Sequence, residues 1–177
     1  MQELKDRIVK EGKVLPGNII KVDGFLNHRI DTELMEHIAE EFGRHFNMDE
    51  VTMILTAEAS GIALSAVVAR HFNKPMIFAK KAKSDNIEGG LYQSDIFSYT
   101  YKKKVTLLVS KEWFSSEDRV LIIDDFMANG EAMRGLCDIV EKGFQGGGDR
   151  LRAAGVNLKS LAIIESAEPG NIVFRED

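Results

Sequence analysis

The chain has 177 residues, 44% of them apolar and 29% charged, a balance that fits one ordinary globular domain with a sizeable core. A formal net charge of −5 argues against a nucleic-acid partner, although a local concentration of donors could still hold a phosphate ligand. Cys137 is the one cysteine, which excludes an intrachain disulfide; with no apolar stretch long enough for a secretion signal or a membrane span, a reducing, cytoplasmic setting without a membrane partner is expected.

Leu4, Ile8 and Val9 fall at helical spacing, which predicts a short amphipathic helix over 2–11 ended by Gly12. Pro16-Gly17 marks a turn ahead of a short strand over 18–22. Asp31 stands as an N-cap before the stripe Leu34, Ile38, Ala39 and Phe42, predicting a helix over 31–42. From there the pattern becomes strand, loop, helix. Residues 51–56 are a continuous apolar run of the kind buried in a parallel sheet, 57–61 a small-residue loop, 62–72 a helix and 75–79 the next strand. Residues 80–103 are polar and lysine-rich, contain Gly89-Gly90 and alternate only around 96–101; they read as a long hairpin over a site, mobile from about 84 to 103.

A strand is expected over 105–110, and the strongest one over 119–124, followed by a loop from Asp125 to Ala132 that leads into a helix. Cys137, with helical neighbours, reads as a small core residue rather than a nucleophile. Residues 146–156 form a loop and short helix, with strands over 158–166 and 171–174. Repeated strand–loop–helix units imply one α/β domain with a central parallel sheet flanked by helices, and ligands in such sheets sit beyond the carboxyl ends of the strands.

The chemistry concentrates in Val120-Leu-Ile-Ile-Asp-Asp-Phe-Met-Ala-Asn-Gly-Glu-Ala132. A loop of Ala128, Asn129, Gly130, Glu131 and Ala132 entering a helix offers backbone N–H groups and the positive end of a helix dipole, which suits a phosphate dianion. Adjacent carboxylates do not help bind a phosphate, so Asp124 and Asp125 should address ribose hydroxyls or a phosphate-bound Mg²⁺. A strand followed by an N-capping aspartate is common in α/β proteins; the complete string is far more specific. His28, His37, His45 and His71 show no metal-ligand spacing, so no metal held by protein ligands is expected.

That string resembles the signature by which type I phosphoribosyltransferases bind 5-phosphoribosyl-1-pyrophosphate (PRPP). Within that family the likeness is closer to the bacterial xanthine-specific members. It rests on Lys21-Val-Asp23, Leu26-Asn-His28, Glu58-Ala-Ser-Gly-Ile62, Phe78-Ala-Lys-Lys-Ala-Lys-Ser84, Leu121 to Ala132 and Val140-Glu-Lys-Gly-Phe-Gln145, in that order. The resemblance implies a type I phosphoribosyltransferase fold with a small base-covering hood from about residues 1–30 and 146–177. It implies that the backbone of 128–132 takes the 5′-phosphate, that Asp124 and Asp125 take the ribose, and that Ser60, Gly61, Lys80 and Lys81 meet pyrophosphate, with Lys83 nearby.

For the base it points to Ile20, Asn27 and Lys142. Asn27 either reads the 2-oxo edge of a purine or braces the helix that Asp31 caps, and Phe126 either stacks on the purine or belongs to the core. The implied reaction moves the phosphoribosyl group of PRPP to xanthine in purine salvage, with Mg²⁺ bound to PRPP or pyrophosphate, in a homodimer. Transfer to guanine, hypoxanthine or adenine is the alternative, and a PRPP-sensing regulator without catalysis is a third reading.

Ala128 and Ala132 depart from the family pattern, which has hydroxyl side chains there, so more of the phosphate bonding falls on the backbone. A second departure is length. Only residues 131–139 are available as a helix before Val140-Glu-Lys142, whereas a parallel crossover needs a dozen or more residues. Either an internal deletion has removed a central strand, and with it the fold, or residues are missing somewhere in 136–142; the second explanation is preferred.

Overall fold

The computed structural model describes residues 1–17, 19–81, 90–98, 103–127 and 136–176. Its N-terminal segment forms α1 (Gln2–Glu11), which buries Leu4 and Ile8 and ends where the Gly12 N–H meets the Ile8 carbonyl at 2.9 Å. The turn at Pro16-Gly17 then folds β1 (Lys13–Leu15) onto β2 (Ile19–Lys21), setting Val14 opposite Ile20. The first of these strands has no counterpart among the predicted elements, because three residues are too few to show alternation. A single π-helical turn, Asp23–Asn27, follows, anchored by the buried rings and branches of Phe25 and Leu26.

Asp31 caps α2 (Thr32–His45), as its side chain accepts from the Leu34 N–H at 3.2 Å. Its other oxygen accepts from the Arg7 guanidinium at 2.9 Å, tying α1 to α2. The Leu34 N–H and then Arg7 hold this carboxyl below its ordinary range. The predicted stripe is buried: Leu34, Ile38, Ala39 and Phe42 face the core together with Met35.

The next unit is β3 (Met53–Ala57), α3 (Gly61–His71) and β4 (Met76–Ala79), with β3 and β4 parallel. β5 (Leu91–Ser98) and β6 (Lys103–Ser110) make the hairpin expected from the lysine-rich stretch, in a register from Leu91↔Ser110 to Ser98↔Lys103. It sits later in the chain than predicted: residues read as a separate strand over 105–110 form its return arm. A bridge between Lys80 and Leu108 joins it to the end of β4.

β7 (Val120–Met127) runs parallel to β3, and β8 (Leu136–Lys142) runs parallel to β7. Two expectations are corrected here. Asp125 and Phe126 are strand residues rather than loop residues, because β7 pairs as far as Met127↔Glu141. Residues 136–139, predicted to be helical, are strand. Ile139 and Val140 are β-branched, and the segment pairs on both sides, with Ile122 to Met127 and with Lys159 to Ile164, so tertiary pairing overrides a weak helical pattern.

Residues 136–142 form one continuous strand. Only eight residues, 128–135, connect Met127 to Leu136.

A 3-10 turn (Gly143–Gln145) and α4 (Gly147–Ala153) lead to β9 (Lys159–Glu168) and β10 (Asn171–Phe174). The sheet order is β10-β9-β8-β7-β3-β4, parallel except for β10. The C-terminal segment therefore supplies two strands of the main sheet, and it meets the N-terminal segment where the Met1 amino group donates to the Leu161 carbonyl at 2.9 Å. One core unites these parts: Leu4 and Ile8, Phe25, the α2 stripe, Leu64 and Val68 of α3, Ile54, Ile123 and Leu161.

Candidate functional site

β3 and β7 are parallel neighbours in the register Leu55↔Ile122, so their carboxyl ends lie together. The loop after β3 and the acidic end of β7 are therefore brought to one place, as expected for a sheet of this kind. Asp125 is the centre of the site. It is 5% exposed, yet both carboxylate oxygens are engaged: Oδ1 accepts from the Ser60 hydroxyl at 2.9 Å, and Oδ2 accepts from the Asn27 side-chain amide at 2.9 Å. Three separate parts of the chain thus meet on one carboxylate: the N-terminal π-helical turn, the head of α3 and the end of β7.

Asp124 is placed differently. Its Oδ1 accepts from the Asp125 backbone N–H at 3.0 Å. Burial first, and then the neighbouring Asp125 carboxylate, push the Asp124 carboxyl well above the ordinary range, while the charge of Lys81 opposes the shift. The residue as a whole keeps some solvent access, but its carboxyl end is desolvated, and the direction of the shift follows from that end.

Gly61 lies against this group. A β-carbon at position 61 would stand 2.1 Å from the Thr56 hydroxyl oxygen and 3.0 Å from Asp124 Oδ1, so no larger residue fits without displacing buried structure. The Thr56 and Ser65 hydroxyls nearby are buried and have no hydrogen-bond partner among the described residues.

Ser60 is the residue before α3, but its hydroxyl bonds Asp125 rather than capping the helix. The first turn of α3 consequently lacks a side-chain cap, which leaves the positive end of an 11-residue helix available to an anion. The preceding Glu58–Ala59 peptide is cis, and the Glu58 side chain accepts from the Lys81 backbone N–H. This bond ties the small-residue loop to the start of the lysine run.

The other expected site residues divide. Lys81 lies within electrostatic reach of Asp124, whereas Lys80 pairs with Leu108 and lines a cleft of about 440 Å³ with Met76, Phe78, Leu108 and Trp113. That cleft holds none of Asp125, Ser60 and Asn27, so the chemistry and not the size of the hollow locates the site. Ile20 is buried in the core and Phe126 packs partly against it. Lys142 ends β8 beside Ile164. Residues 128–132, assigned to phosphate by sequence, lie outside the described residues.

No group of three or more His, Cys, Asp or Glu side chains is placed to hold a metal ion among the described residues. No helix among them is long and apolar enough to cross a membrane. The Asn27–Asp125 bond spans 98 positions and leaves no periodic trace in the sequence. Only the shared likeness of both segments to one family could have hinted that they meet.

No family model matches the chain. Curated relatives match along its whole length. A xanthine phosphoribosyltransferase of Lachnoclostridium phytofermentans is 51% identical over 193 positions, covering 100% of both chains. One of Bifidobacterium adolescentis is 48% identical, covering 99% of this chain and 100% of its own. The first alignment runs over 193 positions against 177 residues in this chain.

Among solved structures, the adenine phosphoribosyltransferase of Giardia lamblia with 9-deazaadenine superposes with a TM-score of 0.74 at 18% identity, covering 93% of this chain and 98% of its own. That of Trypanosoma brucei, in complex with AMP, pyrophosphate and ribose-5-phosphate, gives 0.68 at 22% identity, covering 90% of this chain and 79% of its own. These two likenesses establish the fold.

Proposed function

The chain belongs to the xanthine phosphoribosyltransferase family, and we propose that it transfers the 5-phosphoribosyl group of PRPP to xanthine, giving xanthosine 5′-monophosphate and pyrophosphate. The observation that carries this reading is the buried carboxylate of Asp125, held at the carboxyl end of β7 beside the uncapped head of α3. The bond from C1′ to the pyrophosphate oxygen breaks, a bond from C1′ to a ring nitrogen forms, and the nitrogen's proton is released. Positive charge develops on the ribose and negative charge on the leaving group.

Each charge has a counterpart. Asp125, with Asp124 behind it, accepts from the ribose hydroxyls and fixes the sugar for in-line displacement. The amides of Ser60 and Gly61 at the head of α3 receive pyrophosphate, with Lys81 and Lys80 adding positive charge. The 5′-phosphate falls to the backbone of residues 128–132 on sequence grounds. Two neighbouring carboxylates, one of them biased toward its neutral form, do not make a resident magnesium cage, so Mg²⁺ enters bound to PRPP as part of the substrate. Exclusion of water by the β5–β6 hairpin, base contacts from Ile20, Asn27, Phe126 and Lys142, pairing into a homodimer and a cytoplasmic setting complete the reading.

A spectrophotometric assay of xanthine, guanine, hypoxanthine and adenine, each with PRPP and Mg²⁺, tests it. Xanthine is expected to give the highest kcat/KM. Nucleotide formation from none of the four rejects the enzyme reading, and preference for another base rejects the assigned specificity.

A further inference from the structure

We propose that Asn27 is a positioning residue that couples the ribose site to the base site, resting on the reading of Asp125 given above. Both oxygens of Asp125 already accept a hydrogen bond, and the residue is 5% exposed. A carboxylate has about four lone-pair directions, but packing on this scale leaves little approach to those that remain. A vicinal diol brings two hydroxyl donors, so one of the present partners has to give way.

Asn27 is the partner that can leave usefully. Its backbone is pinned: Phe25 and Leu26, the two residues before it in the turn, are buried, the Arg29 N–H bonds the Asp23 carbonyl at 2.8 Å, and the Asp31 N–H bonds the Phe25 carbonyl at 3.1 Å. Arg7 also stacks over Phe25 at 5.2 Å from the ring centroid. Only the half-buried side chain of Asn27 is free to change partner. Released from Asp125, it offers an N–H₂ donor and a carbonyl acceptor, the pair that a purine edge bearing an oxo group and an N–H requires. Ser60, fixed at the head of α3, keeps Asp125 oriented while this happens.

The diol and the base therefore share one amide. A filled ribose site frees Asn27 for the base, and the coupling is reciprocal by linkage. The bond being exchanged is charge-assisted, for which a factor of about ten in affinity is typical.

The test is calorimetric titration of xanthine with and without saturating ribose 5-phosphate, which carries the diol and the phosphate but no leaving group. In the wild-type protein xanthine should bind about tenfold tighter when ribose 5-phosphate is present. In Asn27→Ala that factor should fall to about one, and ribose 5-phosphate alone should bind several-fold tighter than to the wild type, because Asp125 is already released.

Three results overturn the proposal: no coupling in the wild type, undiminished coupling in Asn27→Ala, or weaker binding of ribose 5-phosphate alone to Asn27→Ala, which would make Asn27 merely a brace for Asp125. A wild-type protein that binds neither xanthine nor ribose 5-phosphate refutes the phosphoribosyl reading itself, a different failure from any of these.

Discussion

The two carboxylates at the acidic end of β7 are treated in opposite ways by their surroundings. Asp125 is buried but satisfied, with a hydroxyl on one oxygen and an amide on the other. Asp124 has its carboxyl end desolvated against Gly61 and Asp125, and that environment favours the neutral acid. Two adjacent residues of identical chemistry are thus divided between tasks by their neighbours: a poised acceptor held by Ser60 and Asn27, and a desolvated, closely packed group beside Gly61. The comparison shows that an Asp-Asp pair is not a symmetric clamp.

The largest effect expected from this division is on catalysis. Asp125→Asn should lower kcat/KM for PRPP by about 100-fold or more, with far-UV circular dichroism unchanged, and Asp124→Asn should cost less. Equal losses in the two variants would remove the distinction drawn between the carboxylates. Next comes packing on the Asp124 side. Gly61→Ala forces a methyl group onto the buried Thr56 hydroxyl and should reduce stability by about 1–3 kcal/mol in urea unfolding. An unchanged midpoint would mean that the α3 head is looser than its contacts imply.

The smallest effect is a gain in stability. Because burial raises the folded-state pKa of Asp124, making it a weaker acid, ionising it costs the folded protein, and that cost is absent below the ordinary carboxylate range and grows as pH rises through it. Asp124→Asn keeps the acceptor for the Asp125 N–H and removes the charge. It should therefore raise Tm at pH 7, by about 1–2 kcal/mol in stability, and leave it unaltered near pH 3. A gain of the same size at both pH values would point to packing rather than charge.

Much of this architecture is legible in the sequence. Asp31 followed by Leu34, Ile38 and Phe42 announces a capped helix, and the runs ending at Thr56 and Asp124 announce adjacent buried strands, because both signals are local. What is not legible depends on pairing at a distance. Leu136–Lys142 carries no clear strand period, yet two flanking strands make it one. Asp125 and Phe126 read as loop because paired aspartates are poor strand formers, but β8 extends the ladder past them. Both Ile20 and Asn27 are expected near the base, but nothing local shows that Ile20 is buried or that Asn27 reaches a carboxylate 98 positions away. Side-chain pairings of that range follow from the assembled sheet and the N-terminal segment packed on it, not from spacing.

The central claim is transfer of a phosphoribosyl group by a chain whose β7–β8 connection is only eight residues long. Its most direct test is a product balance: the wild-type protein is mixed with PRPP, Mg²⁺ and xanthine, and xanthosine 5′-monophosphate and pyrophosphate are counted together. The account predicts that the two products appear in equal amounts, with xanthine consumed to match. Pyrophosphate released with xanthine untouched, or no turnover of PRPP at all, would contradict it.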